Sequence, residues 1–310
     1  MNIIPRTIPM KAWEFTKAQG PNVKISERLA DVMGLVDGGF VYSTLFKYSD
    51  EGPKEYELIL SMYPQENYRT LTYVTIYMQD VPGATAQAAE FLGKRSVNIL
   101  NSISQNAISD TVIIWKMLVD LSFAGEADII KEKFSELKEG NDPSVSKLNL
   151  IDIKTADVGR VFSTSASKNK TEVRRGAPMV FKDRSIDIGR EYLDILGKFN
   201  GSEVMISIDP ESWILSVTFF KEDVKLVKMS FDIPDCPGSI GQIVGSIASK
   251  GVNLICVFSK VKICYQTMSI EMVADLGHTG MTISKFKDRV VDGLESMNGI
   301  FELREYKELK

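Results

Sequence analysis

The stretch Asp80-Val81-Pro82-Gly83 occurs a second time as Asp235-Cys236-Pro237-Gly238, and the architecture that we predict rests on this recurrence. The two stretches are separated by 235 − 80 = 155 residues. Ser96-Val97-Asn98-Ile99 and Gly251-Val252-Asn253-Leu254 have the same separation, because 253 − 98 is also 155. Since 155 is half of the 310 residues, we interpret the chain as two copies of one unit.

The residues around the second copy of this loop follow strand and helix patterns in turn. Leu226–Ile233 alternates apolar and polar residues, as a half-buried strand does, and Pro237-Gly238 then breaks the strand. Ile240–Ile247 has apolar residues at helical spacing, and Val252–Val257 is β-prone. A further strand, a helix and a last strand complete the order β-α-β-β-α-β, which predicts a ferredoxin-like sandwich and an α+β fold class. The first copy has the same order, with strands near Leu71–Met78, Val97–Ser104, Thr111–Leu121 and Lys147–Lys154 and helices near Thr85–Lys94 and Ala127–Lys138.

This combination of motifs resembles the ACT domain. The resemblance rests on an Asp-x-Pro-Gly loop after the first strand, a helix, and Gly-Val-Asn-Leu at the start of the second strand. ACT domains are small regulatory modules that bind amino acids and control enzymes or transcription. Their ligands usually lie between two domains packed side by side, and two copies in one chain supply such a pair. The resemblance covers about half of the chain and implies a tandem ACT-domain regulatory protein.

The chemistry of the loop fits an amino acid ligand. The first turn of a helix after Pro-Gly has unpaired backbone N–H groups that favour a carboxylate, and a glycine lets the backbone approach closely. Asp235 is expected to receive an ammonium group, and Asn253 to donate to a carboxylate while accepting from an amine. The predicted ligand-binding residues are Asp235, Pro237, Gly238, Ser239, Ile240, Asn253 and Leu254 in the second copy, and Asp80, Gly83, Ala84, Asn98 and Ile99 in the first.

A purely structural interpretation of the same residues stays open. Asp-x-Pro-Gly also suits a turn that caps a helix, and Asn253 also suits the end of a strand. The first copy departs from the family pattern, because Ala84-Thr85 stands where the second copy has Ser239-Ile240. The second site is therefore the stronger candidate.

A second, weaker resemblance concerns the segment that precedes each ACT-like block. Ile25–Gly34 parallels Ile188–Gly197 at an offset of 163, and each is followed by a glycine-containing turn and alternating strands. This pattern resembles the AbrB-type swapped-hairpin domain, a family of mostly DNA-binding dimers, and two copies imply a built-in pseudodimer. The candidate DNA-contacting residues are Lys24, Arg28, Lys182, Arg184 and Arg190. The net charge of −4 favours an ordinary solvated surface for these residues over DNA contact.

These observations divide the chain into five parts. We predict a hairpin module at 1–68, an ACT-like domain at 69–160, a polar linker at 161–175, a second hairpin module at 176–222 and a second ACT-like domain at 223–310. The linker is predicted from a run of Ser, Thr, Ala, Lys and Asn that has little material for a core.

Composition and residue spacing argue against several classes of function. The chain is 44% hydrophobic, and no stretch approaches the roughly 20 apolar residues of a membrane helix or has a signal-peptide core, which predicts a cytoplasmic protein without membrane contact. Three cysteines and one histidine have no metal-ligand spacing, so we expect no metal and no cofactor. No catalytic constellation is recognisable, so we expect no enzymatic activity.

Three hypotheses for the function follow. The leading one is a regulatory protein that binds an amino acid and acts as a metabolite sensor. The alternatives are a ligand-responsive transcription regulator with DNA as partner, and a regulatory partner of a separate biosynthetic enzyme. A homodimer is expected, because exposed edges of such sheets commonly pair.

Overall fold

The chain divides into two units. A computed structural model describes residues 11–49, 52–64, 70–107, 111–156, 162, 169–210, 212–295 and 301–310, and for 291–295 it describes the backbone alone. One unit is Ser61–Lys168, and the other combines Met1–Leu60 with Asn169–Lys310. Each unit is built mainly from antiparallel sheets with helices, so the predicted α+β class is confirmed.

The unit Ser61–Lys168 contains the first β-α-β-β-α-β block, here called the first repeat domain (Leu71–Thr155). Its sheet has the order β6-β7-β5-β8 with antiparallel neighbours. Apolar side chains of the strands face the two helices and form one core, in which Phe91 and Phe134 meet edge to face at 5.7 Å between ring centroids. The elements are β5 (Leu71–Gln79), α2 (Ala84–Gly93), β6 (Asn98–Asn106), β7 (Val112–Asp120), α3 (Ala127–Glu139) and β8 (Leu148–Thr155).

The second repeat domain (Leu226–Glu308) lies in the other unit and has the same topology, with the sheet order β15-β16-β14-β17. The 155-residue offset extends to strand register, because Leu71 pairs with Asp120 as Leu226 pairs with Asp275. The duplication read from two short motifs is therefore also present in the backbone pairing. The elements are β14 (Leu226–Pro234), α5 (Ser239–Ala248), β15 (Asn253–Ile263), β16 (Thr267–Asp275), α6 (Ile283–Glu295) and β17 (Glu302–Glu308).

The two segments predicted as hairpin modules combine into one structure, here called the hub (Trp13–Leu60 and Lys170–Phe220). Its nine strands form a sheet with the order β1-β12-β13-β4-β3-β10-β11-β2, and β9 pairs with β3. Strand β9 lies inside the segment predicted as a polar linker, 161–175. The elements are β1 (Trp13–Lys17), β2 (Asn22–Lys24), α1 (Glu27–Met33), β3 (Phe40–Tyr48), β4 (Lys54–Ser61), β9 (Lys170–Arg175), β10 (Met179–Lys182), β11 (Ser185–Asp187), α4 (Arg190–Leu196), β12 (Glu203–Asp209) and β13 (Ile214–Phe220).

Strands from the two copies interleave in the hub around a pseudo-two-fold axis. Val23 pairs with Ile186, and 186 − 23 is 163, so each residue faces its own equivalent. Away from the axis the pairing is reciprocal. Thr16 pairs with Val204, and their equivalents in the other copy, Met179 and Val41, pair with each other. The equivalent residues are again 163 positions apart, since 179 − 16 and 204 − 41 are both 163. This is the isologous pairing of a symmetric dimer, built here within one chain.

A short linker, residues 221–225, joins β13 of the hub to β14 of the second repeat domain. Trp13, Met205 and Phe220 of the hub pack in one buried cluster with Leu226 and Val273 of that domain. The hub and the second repeat domain therefore share a core.

Within the described residues, no helix is long and apolar enough to cross a membrane.

Candidate functional site

The loop Asp235–Gly238 turns the chain from β14 into α5. Gly238 is the N-cap of α5 and has φ 91°, a conformation that favours glycine over any residue with a Cβ. Cys236, Pro237 and Gly238 are exposed, and no described atom lies within 4 Å of the position that a Cβ on Gly238 would take. Ligand atoms can therefore approach the start of this helix closely.

The hydrogen bonds of this loop identify the donors that remain for a ligand. Ser239 N–H donates to the Cys236 carbonyl at 3.2 Å, and Gln242 N–H donates to the Gly238 carbonyl at 2.9 Å. The Ser239 side chain is buried, and its Oγ lies 3.0 Å from Cys236 Sγ, so this hydroxyl belongs to the turn. Among the described residues, no backbone carbonyl outside the helix accepts from the N–H groups of Ile240 and Gly241, which are therefore the first-turn donors left for an anion.

Asp235 has a structural contact in addition to its predicted role. Its Oδ2 accepts from the Tyr265 N–H at 2.7 Å, and its own N–H donates to the Gln266 carbonyl at 3.1 Å. Both contacts hold the loop against the turn between β15 and β16. Asp80 has the corresponding position in the first repeat domain, where its Oδ2 accepts from Asn106 Nδ2 at 2.9 Å. The binding of an ammonium group by Asp235 stays a prediction.

The loop of the first repeat domain differs in its surroundings. Gly83 has φ 83°, and Lys147 Nζ lies 3.1 Å from the position of a Cβ on Gly83. The same Nζ donates to the Pro82 carbonyl at 2.8 Å. A cation of the chain itself therefore sits against this loop. Ala84, which follows, is 1% exposed and packs in the core.

The predicted residues Asn253 and Leu254 lie at the other end of the sheet from the loop. Asn253 pairs with Asp275, which pairs with Leu226 at the start of β14, whereas Asp235 follows the end of β14 at Pro234. Eight residue steps of about 3.4 Å separate the two ends by roughly 27 Å. Because α5 returns the chain along the sheet, no single small ligand contacts both groups within one domain.

The first repeat domain separates its predicted residues in the same way. Asn98 pairs with Asp120 at the Leu71 end of the sheet, and Asp80 and Gly83 lie beyond the other end. Ile99 and its equivalent Leu254 are half-buried and pack against the cores of their domains. The joint site read from the sequence thus becomes two separate places in each domain.

The basic residues predicted for DNA contact lie on the hub in mixed-charge surroundings. Lys182 and Lys24 flank Ser185 on the exposed face of three neighbouring strands. Arg184 Nη2 forms an ion pair with Glu27 Oε1 at 3.1 Å. Arg28 is bound to backbone carbonyls, through Nη1 to Lys11 and through Nη2 to Trp13 at 3.4 Å.

These positive charges are not repeated at the equivalent positions of the other copy across the pseudo-two-fold axis. At the offset of 163, Lys24 corresponds to Asp187, Arg28 to Glu191 and Arg190 to Glu27. Lys182 and Arg184 correspond to Gln19 and Pro21. A duplex backbone contacted symmetrically by both copies would therefore meet an acidic or uncharged residue opposite each basic one.

Comparisons with known proteins give structural neighbours only, since no family model and no curated protein matches the chain. The small subunit of acetolactate synthase from Thermotoga maritima is 10% identical, with 77% of this chain and 92% of that chain covered and a TM-score of 0.21. The regulatory subunit of aspartate kinase from Thermus flavus is 9% identical, with 73% and 93% covered and a TM-score of 0.20. A protein described as unknown from Galdieria sulphuraria is 11% identical, with 78% and 99% covered and a TM-score of 0.25. Two of these three neighbours are thus described as a small or a regulatory subunit of an enzyme.

Proposed function

We propose that the chain is a regulatory protein that senses an amino acid through the start of α5 in its second repeat domain. The observation that carries the proposal is the exposed, glycine-only N-cap at Gly238, which leaves the N–H groups of Ile240 and Gly241 for a ligand. These donors and the helix dipole favour a carboxylate. An amino acid supplies that group, and its ammonium group would lie beside the Asp235 carboxylate.

The contacts of Asp235 are compatible with this second role. A carboxylate accepts about four hydrogen bonds, and the Tyr265 N–H takes one of the acceptor positions on Oδ2. An ammonium group beside Asp235 and a carboxylate at the helix start would fix both ends of an α-amino acid. The side chain of the ligand would then face Ile240, which is 37% exposed.

A thermal-shift screen with the twenty amino acids tests the proposal. A ligand at 100 times its dissociation constant adds about 2.7 kcal/mol to the free energy of unfolding. For the unit that contains α5, this raises the melting temperature by roughly 5–10 °C. Gly238→Ala and Gly83→Ala form a matched pair, because each puts a Cβ on a glycine of similar φ, 91° and 83°, at a strain of about 1–2 kcal/mol. We expect Gly238→Ala to lose the response and Gly83→Ala to keep it.

Two results would count against this proposal. The absence of any shift with all twenty amino acids at millimolar concentration would remove the amino acid sensor. An equal response in the two glycine variants would move the binding site away from α5. In the first case, co-purification of a biosynthetic enzyme with the intact chain would favour the role of a regulatory partner.

We do not favour the DNA-binding alternative, because the basic residues of the hub are not repeated across its pseudo-two-fold axis. A protein that neutralises several phosphates loses affinity steeply as salt rises. Fluorescence anisotropy with a labelled duplex at 50 and 200 mM salt measures this dependence. Salt-dependent binding that weakens in Lys24→Ala and Lys182→Ala would restore the alternative.

A further inference from the structure

A pocket of about 230 Å³ lies where the linker 221–225 joins the hub to the second repeat domain. We call it the linker pocket, and all its residues belong to one unit of the chain. It is lined by Gly52, Lys221, Asp223, Val224, Asp275, Gly277 and His278. Its volume equals about seven or eight water molecules at roughly 30 Å³ each, which is enough for one small metabolite.

Asp275 is the unusual member of this lining. It is 2% exposed, and its Oδ1 accepts from the N–H groups of Lys225 at 3.3 Å and Gly277 at 2.8 Å. Its Oδ2 is also buried, and none of the described residues gives it a hydrogen bond. A buried carboxylate oxygen without a donor is costly, so native structures rarely leave one unsatisfied.

The first repeat domain shows how the chain satisfies the same carboxylate elsewhere. Asp120 is the equivalent of Asp275 at the offset of 155, and it accepts from Thr70 Oγ1 at 2.5 Å, from Ser122 N–H at 2.9 Å and from Ser122 Oγ at 2.9 Å. Burial opposes ionisation of this carboxyl, but these hydrogen bonds outweigh it and lower the pKa of Asp120.

Both hydroxyl donors are missing from the second copy. At the same offset, Lys225 stands in place of Thr70 and Gly277 in place of Ser122, whereas both backbone N–H contacts to Oδ1 come from the linker and the turn. A side chain on Gly277 would meet the Asp223 carbonyl at 2.9 Å and Asp275 Oδ1 at 3.1 Å. The second copy has thus kept the buried acid and lost its hydroxyl partners, and a pocket lies beside this acid.

The charges of the lining residues indicate which kind of hydrogen-bond donor a ligand in this pocket would supply. Asp275 and Asp223 bring two carboxylates to the pocket, and Lys221 Nζ is already engaged with the Gly52 carbonyl at 2.8 Å. Within the described ranges, no three His, Cys, Asp or Glu side chains are placed to hold a metal ion. An organic cation that carries N–H donors fits this setting, because it supplies both positive charge and hydrogen bonds.

We infer that the linker pocket is a second ligand site, for a small primary ammonium compound whose N–H groups bond to Asp275. This site lies at the other end of the sheet from Gly238 and goes beyond the proposed amino acid site. Occupancy links the hub, through Gly52, and the linker, through Lys221, to the second repeat domain, through Asp275 and His278. The ligand therefore stabilises the junction between them.

His278 provides a direct probe, because it is the only histidine of the chain and lines the pocket. Its ring Hε1 resonance is followed by NMR at constant pH while propylammonium chloride is added to the full chain. Propylammonium has no carboxylate, so the result does not depend on the site at α5. Tetramethylammonium chloride is the matched control, since it has the same charge and no N–H donor.

We expect a saturable shift of the His278 resonance with propylammonium and none with tetramethylammonium. Asp275→Asn removes the negative charge at unchanged size and should weaken binding about tenfold or more. Lys225→Thr restores the hydroxyl of the first copy, so it should raise the melting temperature and weaken propylammonium binding. These two effects run in opposite directions, so misfolding cannot produce them. Lys260→Thr makes the same change on the exposed face of β15 and should alter neither.

Three outcomes would overturn the inference. The His278 resonance would not move with propylammonium if the pocket holds water alone. It would move equally with both cations if only charge near the surface is sensed. Unchanged affinity in Asp275→Asn would show that the carboxylate is not the partner.

Discussion

Ile186 is the residue whose removal tests the hub most directly. It is fully buried, pairs with Val23 of the first copy and with Phe181 of its own, and belongs to a core drawn from both copies. If the two copies interleave as described, Ile186→Ala creates a cavity on the pseudo-two-fold axis. A change in the second copy then destabilises strands of the first.

The size of the effect follows from burial. Truncation of a buried Ile to Ala costs about 2–5 kcal/mol, and full burial at a two-sided contact places Ile186 in the upper half of that range. With a urea dependence of about 2–3 kcal/mol/M, the unfolding midpoint should fall by about 1.2–2.5 M. Val36→Ala is the control, because Val36 is 63% exposed and its loss should cost about 0.5 kcal/mol or less.

Tryptophan fluorescence assigns the effect to one unit. The chain has three tryptophans, and Trp115 lies in the unit Ser61–Lys168 while Trp13 and Trp213 lie in the other. In a Trp115→Phe background, urea unfolding followed by fluorescence reports on the unit that contains the hub. A midpoint for Ile186→Ala that matches Val36→Ala would refute the pairing of Val23 with Ile186.

Two further predictions concern the repeat domains. The lowered pKa of Asp120 means that its ionised form adds stability above the unfolded pKa of about 3.9, and this stability is lost as pH falls through the lower folded value. Asp120→Asn should therefore be less stable than the wild type at pH 7, with the difference shrinking below about pH 4. Urea unfolding followed by Trp115 fluorescence in a Trp13→Phe, Trp213→Phe background measures this difference. A difference that does not change with pH contradicts the prediction. Strand β15 lies at a sheet edge, and Val261 on this strand is 43% exposed. Val261→Lys should therefore convert the expected homodimer to a monomer, which light scattering measures. An unchanged mass would place the dimer contact elsewhere.

Local patterns were sufficient to predict the repeat domains. The predicted strand Leu71–Met78 and helix Thr85–Lys94 correspond to β5 and α2 within one residue at each end. These elements bury one clear apolar face, and neighbours in sequence are neighbours in the sheet or lie directly on it. Hydrophobic periodicity and a repeated Pro-Gly turn therefore carried enough information.

The hub was beyond such patterns, because the pairings between its two chain segments join residues more than 120 positions apart. Nothing in the local sequence of Asn22–Lys24 specifies Ser185–Asp187 as its partner. Strand β9 has mostly exposed side chains, so a strand held by backbone hydrogen bonds to β3 resembled a polar linker in the sequence. Closeness in sequence also grouped Gly238 with Asn253, although α5 carries them to opposite ends of the sheet.

The comparison of the two copies explains why we expect ligand binding in the second. The register of the strand pairs that contain Asp120 and Asp275 is kept between them, so a difference at equivalent positions on these strands reflects local chemistry and not a shifted fold. In the first copy, Lys147 occupies the side of the Pro-Gly loop, and Thr70 and Ser122 satisfy the buried Asp120. The second copy leaves exposed backbone donors at α5 and an unsatisfied acid at Asp275, within the described residues. The buried acid is therefore the polar group that the first copy satisfies with its own hydroxyl groups and that the second copy, within the described residues, does not, and the proposed linker-pocket site rests on this difference.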